Sequence, residues 1–230
     1  MDRYSDGRYV EANPDWHDSD ASWKAARVAA LLDSAGLRPS TICDVGCGSG
    51  GVLAELRRRL AGSRMVGLDV SPQAVEIAQA RHPELDIRLG DLASHQEYFD
   101  VVLVLDVFEH VEDYLGLLRA MRTYGEHFIF HIPLDMSAQL VVRAKPLLAK
   151  REEVGHLHYF SKDTALATLT TAGYAVDRWS YTAGSIDAPD RTRRMKLLAL
   201  PRRVGAAIAP NATATVLGGF SLLVLAHPQL

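Results

Sequence analysis

The chain has 230 residues, 48% of them hydrophobic and 23% charged, with a formal net charge of -3. That length suits one α/β domain with a sizeable core, and the charge balance excludes the basic footprint of a general nucleic-acid binder. Cys43 and Cys47 are the only cysteines, which excludes a spaced disulfide framework or a thiolate zinc site.

The first stretch, Met1 to Asp6, is polar and has no apolar signal core, which together with the cysteine usage predicts a cytoplasmic protein. Up to residue 19 the chain reads as irregular, with Tyr4, Tyr9 and Trp16 around a turn at Asn13-Pro14-Asp15. Ser19 or Asp20 can cap a helix whose Trp23, Ala26, Val28, Ala29, Leu31 and Leu32 form an apolar face that stops at Gly36. Trp23 and Lys24 either approach a ligand or belong to the packing of this helix on a sheet.

Ile42 to Val45 reads as a buried strand, the glycines that follow permit a tight turn, and Val52 to Leu56 opens an amphipathic helix. Such a loop lets a ligand approach the backbone, and N–H groups at the helix start offer donors to a carboxylate or phosphate. Gly46-x-Gly48-x-x-Gly51 also satisfies the dinucleotide fingerprint, so the spacing alone leaves the ligand open. Asp44 narrows it. A carboxylate two residues before the first glycine suits a cationic ligand such as the ammonium or sulfonium side of S-adenosylmethionine.

Arg64 to Asp69 reads as a second strand, and Ser71-Pro72-Gln73 as a helix start with proline in the first turn. Asp69 falls about 20 residues after the loop, where an acidic side chain can accept ribose hydroxyls. Leu85 to Gly90 alternates as a third strand and delivers Asp91 and Leu92. There a carboxylate can accept from an adenine amine while leucine packs on the ring. Phe99 to Leu105 is apolar almost throughout, as in a strand covered on both faces, and it ends in Asp106-Val107-Phe108-Glu109-His110-Val111. Glu112 and Asp113 favour the start of a helix bearing Leu115, Leu118 and Met121, and His127 to Ile132 makes a fifth strand broken by Pro133. Strands and helices alternating at this rhythm indicate an α/β fold with a parallel, doubly wound sheet.

Arg143, Lys145, Lys150 and Arg151 sit among leucines and valines in a basic, partly helical cover. Gly155-His156-Leu157-His158-Tyr159-Phe160 then precedes a capped helix from Ser161 to Thr171 closed by Gly173. Tyr174 to Tyr181 is a sixth strand. Arg191, Arg193, Arg194, Lys196, Arg202 and Arg203 flank Leu197 to Leu200. Val216 to Ala226 is too short to span a bilayer and is interrupted by Gly218 and Gly219, so it reads as a last buried strand, centred on Phe220 to His227.

Asp44-x-Gly46-x-Gly48-x-Gly50, Asp69, Gly90-Asp91-Leu92 and Asp106 to Val111 occur in the order and at the intervals of class I S-adenosylmethionine-dependent methyltransferases, which the chain resembles from about Ser22 onward. Among them it is most similar to small-molecule enzymes, including the ubiquinone-biosynthesis O-methyltransferases and uncharacterised bacterial relatives with a comparable His131-Ile132-Pro133-Leu134-Asp135 and Gly155 to Phe160. The resemblance implies a Rossmann-like, seven-stranded sheet with the last strand antiparallel, in a single domain over residues 1–230. Within it, 1–36 would form an N-terminal lid and helix, and 137–160 and 183–218 substrate-side covers. It further implies that Gly46 and Gly48 border the methionine part of S-adenosylmethionine, Asp69 holds the ribose, Asp91 and Leu92 hold adenine, and Leu105 or Asp106 lies beneath the methionine tail. No Asn-Pro-Pro-Tyr signature follows the fourth strand, which disfavours methylation of nucleic-acid bases.

Methyl transfer draws much of its rate from positioning two bound reactants, and a hydroxyl acceptor must also lose its proton. His131, His156 and His158 are candidate bases, each of which could equally be a structural hydrogen-bonding residue. Some ubiquinone-type relatives bind a divalent cation through residues matching Asp106, Glu109 and His110. The reading preferred for Glu109 and His110 here is that they hydrogen-bond the helix start, so no metal ligand is assigned. His156 and His158 share a strand face without supplying further ligands. The basic covers could meet an anionic or lipid-like acceptor or a membrane surface, or be solvated faces. The expected activity is methyl transfer to a small-molecule oxygen. A catalytically silent S-adenosylmethionine-binding module stands as the alternative, and a nicotinamide-dependent oxidoreductase, opposed by Asp44 and Asp91, comes third.

Overall fold

The computed structural model describes residues 20–183 and 200–229. The readings on Tyr4, Tyr9, Trp16 and Ser19, and on Arg191 to Lys196, lie outside these residues. In chain order the elements are α1 (Ala21–Ala35), β1 (Thr41–Val45), α2 (Gly51–Arg59), β2 (Arg64–Asp69), α3 (Pro72–Arg81), β3 (Asp86–Leu89), α4 (Leu92–His95), β4 (Phe99–Leu105), α5 (Tyr114–Met121), β5 (Gly125–Pro133), α6 (Ala138–Arg143), α7 (Lys145–Glu153), α8 (Lys162–Thr171), β6 (Tyr174–Thr182), α9 (Leu200–Ile208), α10 (Pro210–Leu217) and β7 (Ser221–Pro228).

One seven-stranded sheet has the order β3-β2-β1-β4-β5-β7-β6. The strands from β1 to β5 pair in parallel, and β7 runs antiparallel to both β5 and β6. The α/β, doubly wound sheet with an antiparallel last strand is therefore the architecture found.

The continuous apolar run of β4 has a direct explanation in the packing. Val101, Leu103 and Leu105 enter a core with Ala25, Val28 and Leu32 of α1 and Leu53 and Leu56 of α2. Val102 and Val104 enter the opposite core with Leu118 of α5 and Leu169 of α8. Because successive side chains of a strand point to opposite faces, only a run without polar residues satisfies both layers. Each such side chain, fully buried, stabilises the fold by about 1.5–3 kcal/mol.

Local signals set several helix ends. Gly36 closes α1 at φ 71°, and the Ser71 hydroxyl accepts from the Ala74 N–H ahead of α3, with Pro72 in the first turn. Asp113 caps α5 by accepting from the Gly116 N–H. The apolar stretch from Val216 to Ala226 is corrected in one respect: Val216 belongs to α10, and the strand begins only at Ser221. Gly218 and Gly219, at φ 59° and 86°, turn the chain between the two.

From β1 the chain passes to β2 and β3 on one side, then returns to place β4 and β5 on the other. This reversal opens a crevice at the carboxyl ends of β1 and β4, the general ligand position of such sheets. Among the described residues, no helix is long and apolar enough to cross a membrane.

Candidate active site

A cavity of about 350 Å³ occupies this crevice. Its wall combines Asp44 near the end of β1 with Gly46 and Gly48 just after it, Asp69 at the end of β2, Leu105 at the end of β4 with Asp106 after it, Lys24 from α1, and His156 beyond α7.

The glycine loop is held against β2, where the Gly46 and Cys47 N–H groups donate to the Leu68 carbonyl at 2.7 and 3.1 Å. Gly46 has φ 72°, and a Cβ there would lie 2.8 Å from Val107 Cγ2, so both backbone and space require glycine. Asp69 reaches back across the loop: one carboxylate oxygen accepts from the Gly48 N–H at 2.9 Å and the other from the Ser71 N–H at 2.8 Å. Burial pushes its carboxyl up, and these backbone donors pull it back.

Asp44 is only 3% exposed. Burial raises its carboxyl to about 7, Lys24 opposes the rise and the neighbouring Asp69 charge adds to it. A cation entering beside Asp44 reverses that balance by favouring the carboxylate. Asp106 behaves in the opposite way. Burial would raise it, but the charges and hydrogen bonds of His131 and Lys24 hold it well below the usual carboxylate range. Its Oδ1 accepts from His131 Nδ1 at 2.7 Å and its Oδ2 lies 2.9 Å from Lys24 Nζ. Asp106 itself has φ 56°, an uncommon conformation for a non-glycine residue, held here at the cavity floor.

Three of the cofactor-binding residues named from the sequence are not on the wall. Gly50 caps α2 in the left-handed conformation at φ 80°. The Asp91 carboxylate caps α4, accepting from the Ser94 N–H at 2.9 Å, and that bond holds it below its ordinary range. Leu92 is buried in the hydrophobic core. The sequence reading puts Asp91 and Leu92 against adenine; in the structure one oxygen of Asp91 caps α4 and Leu92 packs in the core.

The three candidate bases separate in the same way. His131 is buried behind Asp106, with Nδ1 on that carboxylate and Nε2 2.9 Å from Thr182 Oγ1, and it does not line the cavity. His158 faces away, with Nε2 donating to the Val111 carbonyl at 3.0 Å and its ring against Tyr114. His156 lines the cavity. Its Nδ1 donates to Asp135 Oδ2 at 2.6 Å, and Lys150 Nζ reaches Asp135 Oδ1 at 2.6 Å. Burial would raise the Asp135 carboxyl, but His156 and Lys150 hold it below its ordinary range. Asp135 carried no role in the sequence reading and Lys150 only that of a basic cover residue, although an acid just after the proline that ends β5 is a locatable signal.

Glu109 is completely buried, and neither of its carboxylate oxygens has a hydrogen-bond partner. Burial and the nearby Asp106 charge push it well above the carboxylate range, with the dipole of its own N–H and Lys24 offsetting only part. The expectation that Glu109 hydrogen-bonds a helix start is thereby corrected. Asp106 pairs with Lys24 and His131. Ligand atoms of Glu109, His110 and His156 lie within 4.8 Å of one another. His110 Nδ1 donates to the Gly155 carbonyl at 3.1 Å, and its Nε2 lies 4.0 Å from Glu109 Oε1. One carboxylate with two imidazoles, each imidazole held through its other nitrogen, is a donor set that fits a divalent transition metal.

Residues 16–178 match the family described as a methyltransferase domain. A ubiquinone biosynthesis O-methyltransferase of Xanthomonas axonopodis pv. citri is 30% identical over 203 residues, covering 77% of this chain and 82% of the relative. Its counterpart in Azorhizobium caulinodans is 41% identical over 104 residues, a match that covers 41% of this chain and only 39% of that relative. In fold, the chain is similar to magnesium protoporphyrin IX methyltransferase from Synechocystis PCC 6803, whose crystal structure has bound SAH, with a TM-score of 0.61 at 20% identity over 91% of this chain and 83% of that one. With its glycine loop, acidic strand ends and mixed seven-stranded sheet, the chain belongs to the methyltransferase domain family and is an S-adenosylmethionine-dependent methyltransferase.

Proposed function

We propose that the enzyme methylates a hydroxyl oxygen of a small molecule, with His156 as general base. The observation that carries this reading is the buried Asp135–His156 pair at the cavity wall. Asp135 accepts the hydrogen bond from Nδ1–H, which leaves Nε2 as the nitrogen able to accept a proton from an acceptor hydroxyl. Lys150 keeps Asp135 ionised and fixed, so the imidazole is both oriented and stabilised when it becomes charged. The relatives named ubiquinone biosynthesis O-methyltransferase support oxygen as the nucleophile.

S-adenosylmethionine, when bound, supplies an electrophilic methyl group and a sulfonium leaving group. On the protein side, Asp44 receives the cationic amino acid part, Gly46 and Gly48 permit close approach, and Asp69 accepts from the ribose. Leu105 and Asp106 form the floor, with Lys24 of α1 closing over Asp106. One domain spanning the chain, acting in the cytoplasm on an anionic or lipid-like acceptor, completes the reading. Incubation with isotopically labelled S-adenosylmethionine and a panel of phenols, catechols and hydroxy acids tests it. The expected result is a labelled methyl ether; a labelled ester alone would mean that a carboxylate, which needs no base, is the acceptor. Tight cofactor binding with no product across the panel would favour a binding module instead, and binding of NAD alone would sink both.

The Glu109 carboxylate, buried without a hydrogen-bond partner beside His110, favours a second reading, in which Glu109, His110 and His156 hold a divalent cation. A bound cation would lower the pKa of an acceptor hydroxyl. Titration with Mn²⁺ and Zn²⁺, followed by calorimetry, separates the two readings. Stoichiometric binding lost in Glu109→Gln supports the cation; absence of binding, with activity unchanged by a chelator, leaves His156 as the base.

A further inference from the structure

Thr182 is the last residue of β6 and is only 4% exposed. In the sheet it lies beside Ser221 of β7, which in turn lies beside Pro133 of β5. Its hydroxyl steps across β7 to the ring of His131 on β5, with Oγ1 2.9 Å from Nε2. The other side of that ring meets the cavity floor. Nδ1 donates to Asp106 Oδ1 at 2.7 Å, and the Asp106 N–H donates to the His131 carbonyl at 2.9 Å. Asp106 Oδ2 then lies 2.9 Å from Lys24 Nζ. One line of polar contacts thus runs from β6 through β5 to the end of β4 and on to α1. Lys24 and Asp106 line the cavity, while His131 and Thr182 stand behind it.

A buried imidazole bound at one nitrogen can still pivot about that bond, so the second contact decides where the ring points. Leu105 of β4 and Leu223 of β7, the neighbours of His131 in register, are apolar. Trp23 of α1 lies edge-on to the ring, with centroids 6.0 Å apart at 80°, and its buried Nε1 has no hydrogen-bond partner among the described residues. Trp23 therefore limits the tilt of the ring without anchoring either nitrogen. That leaves Thr182 as the polar anchor at Nε2. A hydroxyl suits the place in either charge state of the imidazole, because it can donate to a bare Nε2 or accept from Nε2–H.

We infer that Thr182 is a positioning residue for donor binding: it fixes the His131 ring and, through that ring, the direction in which the Asp106 carboxylate points. A buried polar network keeps a single arrangement when each of its members is satisfied. Without the hydroxyl, Nε2 is buried with no partner and the ring turns to find one. Asp106 then loses the fixed anchor of its Oδ1, and Oδ2 and Lys24 no longer meet the donor in one geometry. Thr182 touches neither donor nor acceptor, so its effect belongs to donor affinity and not to the transfer step. The inference rests on the reading of Asp106 as the floor beneath the methionine tail.

Calorimetry of the full chain with S-adenosylhomocysteine tests it. Thr182→Val keeps the shape of the side chain and removes the hydroxyl; it is expected to weaken binding about five- to tenfold, whereas Thr182→Ser, which keeps the hydroxyl, should stay within about twofold of the wild type. In an Asp106→Asn background, Thr182→Val should have little further effect, because the two residues act along one line. Imidazole ¹H–¹⁵N spectra give a readout that a merely structural role would not move, with the His131 signals identified by their loss in His131→Gln. Saturating S-adenosylhomocysteine should shift both ring nitrogens of wild-type His131, although that ring does not line the cavity. A Thr182→Val protein that melts at a lower temperature yet binds as the wild type does overturns the inference, as do His131 signals that ignore the ligand. The spectra of the wild type decide alone if Thr182→Val does not fold. Normal binding by Asp106→Asn would remove the reading of the floor and the inference with it; weakened binding by Asp106→Asn beside normal binding by Thr182→Val removes only the role of Thr182.

Discussion

Replacing Asp44 with asparagine should weaken S-adenosylmethionine binding about a hundredfold at pH 8 and flatten its dependence on pH. Asp44 is buried at the end of β1 and titrates at about 7 in the ligand-free protein, raised by burial and by Asp69 against the pull of Lys24. A cationic ligand selects the carboxylate. Wild-type affinity should therefore fall by up to about tenfold per pH unit below that value and level off above it, one unit corresponding to roughly 1.4 kcal/mol. Loss of a charge-assisted hydrogen bond of about 1.5–3 kcal/mol accounts for the size of the effect at pH 8.

The same titration acts on stability with an unusual sign for an aspartate. Its folded value lies above its unfolded one, so the folded state holds the extra proton between about 4 and 7. The contribution of this group is then most favourable at low pH and is lost as pH rises towards 7. Asp44→Asn removes that slope and should raise the melting temperature of the ligand-free protein at pH 8. Calorimetric titrations and thermal melts at pH 5.5 to 8.5 measure both effects. A variant that binds like the wild type, or wild-type affinity independent of pH, contradicts the role given to Asp44.

Replacing His156 with glutamine should lower kcat by about 10² to 10⁴, the usual range for loss of a general base. KM for the methyl donor should stay within about threefold, because His156 is placed to meet the acceptor rather than the loop that holds the donor. Asp135→Asn should lower kcat by a smaller factor, since the imidazole remains but loses the carboxylate that fixes its tautomer at 2.6 Å. His131→Gln should behave differently. His131 braces Asp106 and Thr182, so its loss disturbs the cavity floor and should appear in donor binding. Full activity in His156→Gln, or a defect confined to KM, would remove His156 from the chemistry.

The parts of this enzyme that follow from local sequence were legible before any coordinates. The glycine loop announces itself because tight turns and close backbone approach demand glycine at fixed spacing. The strands are legible because β4 must be apolar throughout to serve two cores, and the Ser71-Pro72 start of α3 because capping is a short-range hydrogen bond. Asp91 carries two local signals at once. Its place after β3 suits an adenine contact, and its carboxylate is three residues from the Ser94 N–H, a capping bond that the structure forms.

Sequence by itself determined most of the strands, the loop and Asp44 and Asp69 as acidic strand ends, since each depends on residues close together in the chain. Only the tertiary structure separated His131, His156 and His158 by position, because their hydrogen-bond partners are distant in the chain: Thr182, Asp135 and Val111. It alone also revealed Lys24 across the Asp106 floor, Glu109 without a hydrogen-bond partner and the outward-facing stripe of Leu200, Val204 and Ile208 on α9. Burial and pairing are properties of elements meeting in space. The energy that moves a carboxylate towards 7 or holds it ionised comes from that meeting, which one-dimensional spacing does not contain.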